Sequence, residues 1–230
     1  MTVVILQSNY VPWKGYFDLV HDADKFVFYD CVQYTKNDWR NRNIIYTRNG
    51  KQWLTIPVSA SAVKGCIDEA PLADASWQEV HFRTLLYGYK RAPFFHQLQE
   101  LMEDYLICKK WSTLSQLNQY LIKVISIKLG CTTEFIDSRE LAPEGDRLER
   151  LIGILNKLGA TRYISGKAAA SYIEGKEQLF QDNGIKLLYK EYPYYRPYRQ
   201  LTTPFENGVS ILDLVAHLKW DDIPTHIWKL

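Results

Sequence analysis

Residues 3–43 read VVILQSNYVPWKGYFDLVHDADKFVFYDCVQYTKNDWRNRN, and this stretch decides the fold. Thr2–Leu6 is a continuous β-branched and aliphatic run, which is typical of a strand buried on both faces of a parallel sheet. Pro12 and Gly15 break the chain before a short apolar helical stripe, and Lys25–Asp30 forms a second apolar run. A strand, a helix and a strand within about thirty residues predict a right-handed βαβ unit with a parallel pair.

The remaining chain continues this alternation of strands and helices. Residues 43–47 and 52–58 flank Asn49-Gly50, which predicts a β-hairpin, and residues 59–74 read as a long loop that could cover a site. The pattern predicts helices in 77–86, 94–106, 114–129, 146–158, 167–172 and 210–218, and strands in 133–136, 162–166 and 185–189. We therefore predict an α/β fold: a Rossmann-like parallel sheet flanked by helices, with a β-hairpin and a helical segment inserted after the second strand. Residues 1–230 are expected to form a single domain, in which 1–75 and 131–230 make the α/β core and 76–130 the helical insertion.

Composition limits the class of protein. The 230 residues are 47% hydrophobic and 23% charged, which predicts a folded globular chain, and the net charge of +2 is too small to indicate nucleic acid or a membrane surface. The four cysteines are far apart and the five histidines lack ligand spacing, so we expect free thiols and no metal site. Without a basic leader or an apolar run of about 18 residues, a cytoplasmic location with no membrane span is the expectation.

Polar and aromatic residues gather where the first two strands end, at Gln7–Tyr10 and at Asp30–Tyr34. The carboxyl ends of adjacent parallel strands form the edge where open α/β sheets bind ligands. There Asp30 could act as a general base or hold a sugar hydroxyl, and Gln33 could both donate to and accept from an amide or ring oxygen. The structural alternative for Asp30 is a cap of a turn or helix.

Three cations, Lys36, Arg40 and Arg42, lie within seven positions of one another beside Trp39 and Asn43. Two guanidinium groups and an ammonium group in one loop suit a phosphate or a carboxylate. The alternative is a solvated hairpin with cations along an exposed edge.

Two further positions are candidates. Ser165 and Gly166 end another predicted strand, where backbone N–H groups could hold an anion, although a glycine there also serves simple turn chemistry. Cys31 follows Asp30 and could be a nucleophile, but no neighbour in sequence supplies its base, so an inert packed thiol is the favoured interpretation.

The residues also carry a resemblance that spans nearly the whole chain. It rests on Gln7, Tyr10, Pro12-Trp13, Gly15-Tyr16-Phe17, Asp24, Asp30, Val32-Gln33-Tyr34, Lys36, Trp39, Asn41-Arg42-Asn43, residues 53–58, residues 163–166, Tyr172, Gln200 and residues 210–213. In these positions the chain resembles the WbqC-like family, bacterial proteins found with O-antigen and other surface-polysaccharide genes. The resemblance implies glycan biosynthesis, with transfer of a glycyl or other aminoacyl group to a sugar as the associated activity.

A second similarity concerns the fold alone. The strand, the Pro-Trp-Lys-Gly-Tyr turn, the helix and the second strand resemble the opening of the nucleotidyltransferase superfamily, in particular pantothenate synthetase, where a His-x-Gly-His turn holds ATP phosphates. Here Pro12 and Trp13 lie near the first histidine position and Tyr16 falls at the second. The similarity implies a nucleotide-binding fold, and the missing histidines place ATP chemistry in doubt.

Two hypotheses follow. The first is an acyl or aminoacyl transferase, or an ATP-dependent ligase, acting on an activated sugar, with Asp30, Gln33 and Lys36 as catalytic residues. Its predicted substrate-binding residues are Gln7, Tyr10, Trp13, Tyr16, Trp39, Arg40, Arg42, Asn43, Ser165 and Gly166. The second is a non-catalytic module that binds a sugar nucleotide or a partner. ATP or a nucleotide sugar is a possible cofactor, the predicted partner is a small molecule rather than nucleic acid, and the oligomeric state stays open.

Overall fold

Five parallel strands form the central sheet of the computed structural model, which describes residues 1–166, 170–192 and 194–228. The strands lie in the order β5-β2-β1-β6-β7. Their bounds are β1 Thr2–Leu6, β2 Lys25–Phe28, β5 Glu134–Asp137, β6 Arg162–Ser165 and β7 Lys186–Tyr189. The chain first builds outward from β1 through β2 to β5 and then returns to add β6 on the other side of β1. The junction of β1 and β6 is therefore the switch point of a doubly wound sheet, as the predicted Rossmann-like class requires.

Both faces of this sheet are buried, which explains the continuous apolar runs in its strands. Val4 and Phe26 belong to the core on one face, together with side chains of helices α1 (Lys14–His21), α4 (Leu114–Lys128) and α8 (Ile211–His217). Val3 and Val27 point to the opposite face, where the core includes helices α5 (Arg147–Leu158), α6 (Ala170–Ile173) and α7 (Gln178–Asp182). The helix predicted from residue 167 begins outside the described residues, and α6 covers its second part.

The hairpin and a helical segment lie between β2 and β5 in the chain, as predicted. Strands β3 (Arg42–Thr47) and β4 (Gly50–Thr55) pair antiparallel in a sheet of their own, and Gly50 takes the positive φ of +86° that closes the turn. Helices α2 (Ser76–Tyr89) and α3 (Phe95–Met102) follow, and α3 continues into a π-helical turn over Glu103–Cys108. This segment packs into the same hydrophobic core as the α4 face of the sheet.

Local capping explains where the helices begin. The Thr113 hydroxyl accepts from the Gln116 N–H at the start of α4, and Asp146 forms a capping box with Glu149 at the start of α5. The Ser210 hydroxyl caps helix α8 by accepting from the Leu212 N–H. Asp213 forms no capping box with it, because the Asp213 carboxylate instead accepts hydrogen bonds from the Tyr89 and Tyr198 hydroxyls.

Lys14 is a fully buried cation on α1. Its ammonium nitrogen has no hydrogen-bond partner among the described residues. It lies 5.0 Å from the ring centre of Tyr195, 5.6 Å from that of Tyr198 and 5.4 Å from that of Phe205. Burial lowers the pKa of Lys14 to about 8, and the Asp213 carboxylate opposes that shift. The aromatic rings therefore stabilise the Lys14 ammonium group less than water would, which is why its pKa is lowered.

We expect Lys14→Met to change the pH dependence of stability. Native Lys14 loses its proton near pH 8, whereas the unfolded chain keeps it to about pH 10.5, so the unfolded state binds more protons in this window. The free energy of unfolding of the wild type should therefore rise relative to the variant by roughly 2 kcal/mol between about pH 7 and about pH 9.5. Chemical denaturation across this range measures the difference, with Lys36→Met at an exposed site as control. Parallel curves for wild type and Lys14→Met would contradict the lowered pKa.

Candidate functional site

A cleft of about 780 Å³ opens at the carboxyl edge of the sheet, over the junction of β1 and β6. Its walls come from the ends of β1, β2 and β6, from the segments after β2, and from the start of α5. The polar and thiol side chains among its lining residues belong to Gln7, Tyr29, Cys31, Gln33, Thr35, Asp38, Arg40, Cys66, Asp146, Arg147, Arg150, Tyr163, Ser165 and Tyr172, and Gly166 joins them. Four predicted substrate-binding residues, Gln7, Arg40, Ser165 and Gly166, and the predicted catalytic Gln33 thus lie in one cleft.

Two arginines of α5 form one wall. The Arg147 guanidinium lies 3.4 Å above the centre of the Tyr172 ring, and Arg150 Nε donates to the Gly145 carbonyl over 2.8 Å. Within the described ranges, neither guanidinium forms an ion pair with a carboxylate. Burial and the Cys31 thiol raise the pKa of Tyr29, whereas Arg150 opposes this rise. Both arginines keep donors available for an anion.

Arg40 lies in the loop after β2 and also lines the cleft, and its carbonyl accepts from Asn118 Nδ2 of helix α4, which packs on the other face of the sheet from α5. Its Nη1 donates to Asn9 Oδ1 over 2.6 Å and its Nη2 to Gln7 Oε1 over 3.3 Å, while Asp38 Oδ2 lies 3.7 Å away. Two neutral amide oxygens therefore fix the guanidinium, and its positive charge is only partly offset. Arg40, Arg147 and Arg150 together make this cleft a cationic site.

Two thiols lie in a third wall of the cleft. Residues 31–34 run antiparallel to residues 65–68, with the Ile67 N–H donating to the Val32 carbonyl over 3.0 Å. Cys31 and Cys66 both line the cleft, and the Cys66 thiol donates to the Cys31 carbonyl over 3.4 Å. Burial first, and then the nearby acidic side chains of Asp68 and Glu69, raise the pKa of Cys66. This environment favours the thiol over the nucleophilic thiolate.

Asp30 does not line the cleft but is fully buried at the end of β2. Its Oδ1 accepts from the Ser8 N–H over 2.8 Å, and its Oδ2 accepts from the Ser115 hydroxyl over 2.5 Å and from Gln119 Nε2 over 3.2 Å. These bonds join the end of β1, the end of β2 and helix α4. In this position Asp30 braces the site, meaning that it holds the strand ends and α4 together by hydrogen bonds. Its predicted role in catalysis stays a prediction.

Three predicted binding residues are also engaged in the interior. The buried Tyr10 hydroxyl lies 2.9 Å from His81 Nδ1, and the Tyr16 hydroxyl donates to the Gln7 carbonyl over 3.0 Å. Asn43 Nδ2 donates to the carbonyls of Tyr10 and Val11, each over 3.0 Å. These side chains shape the turn between β1 and α1 instead of facing the cleft.

The predicted cationic loop does not converge on one point. Lys36 is exposed and lines neither the cleft nor the pocket described next. The Arg42 guanidinium stacks on Trp53, with its Cζ 4.3 Å from the ring centre. Of the three cations, Arg40 alone lines the cleft, and Arg147 and Arg150 supply the other charges.

A second pocket of about 320 Å³ lies next to the cleft and contains the two predicted tryptophans. Its lining residues are Asn9, Pro12, Trp13, Trp39, Asn43 and Gly208. The hydrogen bond between Arg40 and Asn9 separates the two spaces, since Arg40 lines the cleft and Asn9 lines the pocket. Most of the predicted site residues that reach a cavity are thus divided between an arginine-lined cleft and an aromatic pocket.

Sequence reasoning missed Arg147, Arg150, Tyr29 and Tyr172. One signal was present, because Asp146 is a typical N-cap residue at the start of a predicted helix, and arginines three residues apart share one helix face. Nothing in the sequence indicates that this face meets the cleft, which depends on the order of strands in the sheet.

In the described part of the chain, no three His, Cys, Asp or Glu side chains come together in a group that could hold a metal ion.

The fold is a doubly wound α/β sheet with an arginine-lined cleft at its switch point, which is where open α/β sheets commonly bind ligands. Comparison with known proteins gives the family: residues 7–225 match the WbqC-like protein family, and the chain belongs to it. It is 39% identical over 220 residues to Uncharacterized protein Rv1507c of Mycobacterium tuberculosis (strain ATCC 25618 / H37Rv), covering 94% of this chain and 93% of that protein. No solved structure matches the chain. Among the described helices, none is both long and apolar enough to cross a lipid bilayer.

Replacement of Asp30 by Asn tests the bracing position. An amide would set its NH2 group against the donors of Ser115 or Gln119, so we expect the free energy of unfolding to fall by about 3 kcal/mol. Urea denaturation measures the loss, and Asp182→Asn on the exposed surface serves as control. If Asp30→Asn keeps the wild-type free energy of unfolding but loses activity, the residue is catalytic and not a brace.

Proposed function

We propose that this protein is a cytoplasmic enzyme of bacterial surface-polysaccharide (O-antigen, lipopolysaccharide) biosynthesis, and that it transfers an aminoacyl group such as glycyl, or another acyl group, to an activated sugar. The observation that carries the proposal is the presence of three arginines in one cleft at the switch point of the sheet. Membership of the WbqC-like family supports the glycan context.

The ligand chemistry follows from the cleft. Activated sugars and ATP both carry phosphate groups, and guanidinium forks bind phosphate oxygens bidentately. Arg40 lines the same cleft as the arginines of α5, so a phosphate or pyrophosphate group in the cleft could contact guanidinium groups from two separate segments of the chain. Ser165 and Gly166 lie at the end of β6, and space is open where a glycine Cβ would stand at Gly166. A ligand can therefore approach the backbone there closely.

The transfer itself forms one bond and breaks another. A sugar nitrogen or oxygen bonds to the acyl carbon, the bond between that carbon and the leaving group of the donor breaks, and the proton of the sugar N–H or O–H passes to the leaving group or to a base. Gln33 lies in the cleft, where its amide can donate to the acyl oxygen and so stabilise the developing negative charge. Lys36 would need the loop of residues 35–40 to move before it could take the predicted catalytic role.

A second candidate function is a non-catalytic module that binds a sugar nucleotide. The observation that favours it is the engaged state of Asp30, both of whose carboxylate oxygens accept hydrogen bonds from the protein. The same cleft would then bind the ligand and present it to a partner enzyme. The transferase and the binding module would therefore bind the same ligand, and only the transferase would convert it to a product.

Binding of a phosphate-bearing ligand is the first test. In thermal-shift and calorimetric titrations with ATP and UDP-glucose, we expect at least one ligand to raise the melting temperature of the wild type. The Arg147→Ala/Arg150→Ala variant should bind that ligand about tenfold or more weakly, because two charge-assisted contacts are lost. Arg83→Ala on the exposed face of α2 is the matched control. Unchanged affinity in the double variant would refute the cationic cleft.

Turnover separates the enzyme from the binding module. When the protein is incubated with nucleotide amino sugars and acyl or aminoacyl donors, mass spectrometry of the sugar should detect the mass of the added group. We expect Cys31→Ser to keep this activity within about threefold of the wild type, since the transfer written above needs no covalent thiol intermediate. Loss of activity in Cys31→Ser with an unchanged melting temperature would point to a thiol nucleophile instead.

A further inference from the structure

The aromatic pocket beside the cleft has no part in anion binding, yet it exposes a large indole. Trp39 is 45% exposed and lines the pocket together with Trp13. An indole that stays half in water, with its apolar face on a concave space, is suited to stacking on a ligand. We propose that this pocket binds the pyranose ring of a sugar whose anomeric phosphate or pyrophosphate lies in the arginine cleft. The inference rests on the proposed function and assigns the sugar its own subsite.

Trp39 is held from outside the pocket. The centres of the Trp39 and Trp53 rings are 5.6 Å apart at an angle of 35°, and the Arg42 guanidinium covers Trp53 at 4.3 Å. Trp53 does not line the pocket, so it is a positioning residue for Trp39. The stack of Arg42, Trp53 and Trp39 keeps an exposed loop residue in one orientation, which lowers the entropy lost when a ring binds to it.

The ring of Trp13, which also lines the pocket, is likewise held in one orientation by its neighbours. A Cβ atom at Gly15 would stand 2.3 Å from the Trp13 ring, so the indole can lie where it does because residue 15 is glycine. The ring also packs against Tyr192 and Tyr195, at centroid distances of 5.1 and 5.9 Å. Two preformed aromatic walls therefore bound a small space.

The position of the aromatic pocket next to the arginine cleft indicates the chemical structure of the ligand. Arg40 lines the cleft and donates to Oδ1 of Asn9, which lines the pocket, and the backbone beside them is joined by the Tyr10 N–H, which donates to the Trp39 carbonyl over 3.0 Å. A ring in the pocket and an anion bound by Arg40 would lie on the two sides of the Arg40–Asn9 hydrogen bond, a short separation that suits a ring attached directly to its phosphate. A sugar 1-phosphate has that arrangement, whereas a nucleobase is separated from its phosphates by a ribose.

Polarity and size agree with this assignment. Asn9 uses its side-chain oxygen for Arg40, which leaves its amide N–H groups as donors for a sugar hydroxyl. The pocket, at about 320 Å³, has less than half the volume of the cleft at about 780 Å³. One ring fits the smaller space, and the larger space leaves room for a pyrophosphate and a nucleoside.

Calorimetric titration with UDP-glucose, UDP and glucose 1-phosphate tests the subsite. For the wild type we expect UDP-glucose to bind about tenfold tighter than UDP, and for Trp39→Ala we expect this difference to vanish while UDP affinity stays unchanged. Trp39→Phe should restore part of the difference, and Trp53→Ala should reduce it. Tyr87→Ala, at a residue 69% exposed on α2, is the control for loss of a surface aromatic. Sensitivity of glucose 1-phosphate binding to Trp39→Ala would show that the nucleoside is not needed.

Each of the other results of these titrations would refute a specific part of the proposal. If UDP-glucose binds and Trp39→Ala leaves the ratio of the two affinities unchanged, the sugar subsite is refuted and the arginine cleft stands. If Trp39→Ala weakens UDP and UDP-glucose by the same factor, the pocket binds the nucleobase and the assignment to sugar is wrong. If none of the three ligands binds the wild type, the proposed function fails, and the subsite fails with it.

Discussion

The buried carboxylate of Asp30 is the interaction on which the carboxyl edge of this protein depends. A carboxylate with no exposure to water costs several kcal/mol unless donors surround it. Here those donors come from three places in the chain: the loop after β1 and two positions on helix α4. Gln119 extends the network by donating to Asp137 over 3.1 Å, at the end of β5. One acidic group thus fixes the ends of three adjacent strands relative to one another.

Polar residues at the carboxyl edge of the sheet are of two kinds: those that form hydrogen bonds inside the protein and those that line the cleft. Asp30, Tyr16 and Asn43 use their polar atoms inside the protein, and they shape the backbone around the site. Arg40, Arg147 and Gln33 lie in front of this frame and line the cleft. A ligand site built in this way is preorganised, because the residues behind the lining cannot rearrange without leaving a buried polar group unpaired.

Sequence patterns predicted the fold better than the site, for a physical reason. Strands buried on both faces and capped helices are local signals, so β1, β2, the hairpin and α5 could be placed from their own residues. The position of Asp30 at a strand end was predictable as well. Its partners were not, since Ser115 is 85 residues away and meets it only after α4 packs on the sheet. Likewise Lys36 and Arg40 are neighbours in sequence, but of the two only Arg40 lines the cleft. Arg40 and Arg147 are far apart in sequence and both line it, because β2 and β5, the sheet strands that precede them, are adjacent in the sheet.

The arginines themselves show how a protein with a net charge of +2 can still concentrate positive charge in one cleft. Arg139 donates to both carboxylate oxygens of Asp137, over 3.0 and 2.7 Å, so its charge is neutralised within the protein. The cleft arginines are held mainly by neutral groups: Arg40 by two amide oxygens, with the Asp38 carboxylate farther away at 3.7 Å, Arg147 by the face of Tyr172 and Arg150 by a backbone carbonyl. Neutral partners fix the geometry of a guanidinium without cancelling its charge. The electrostatic function therefore depends on which partners each arginine has, a property that the overall composition does not contain.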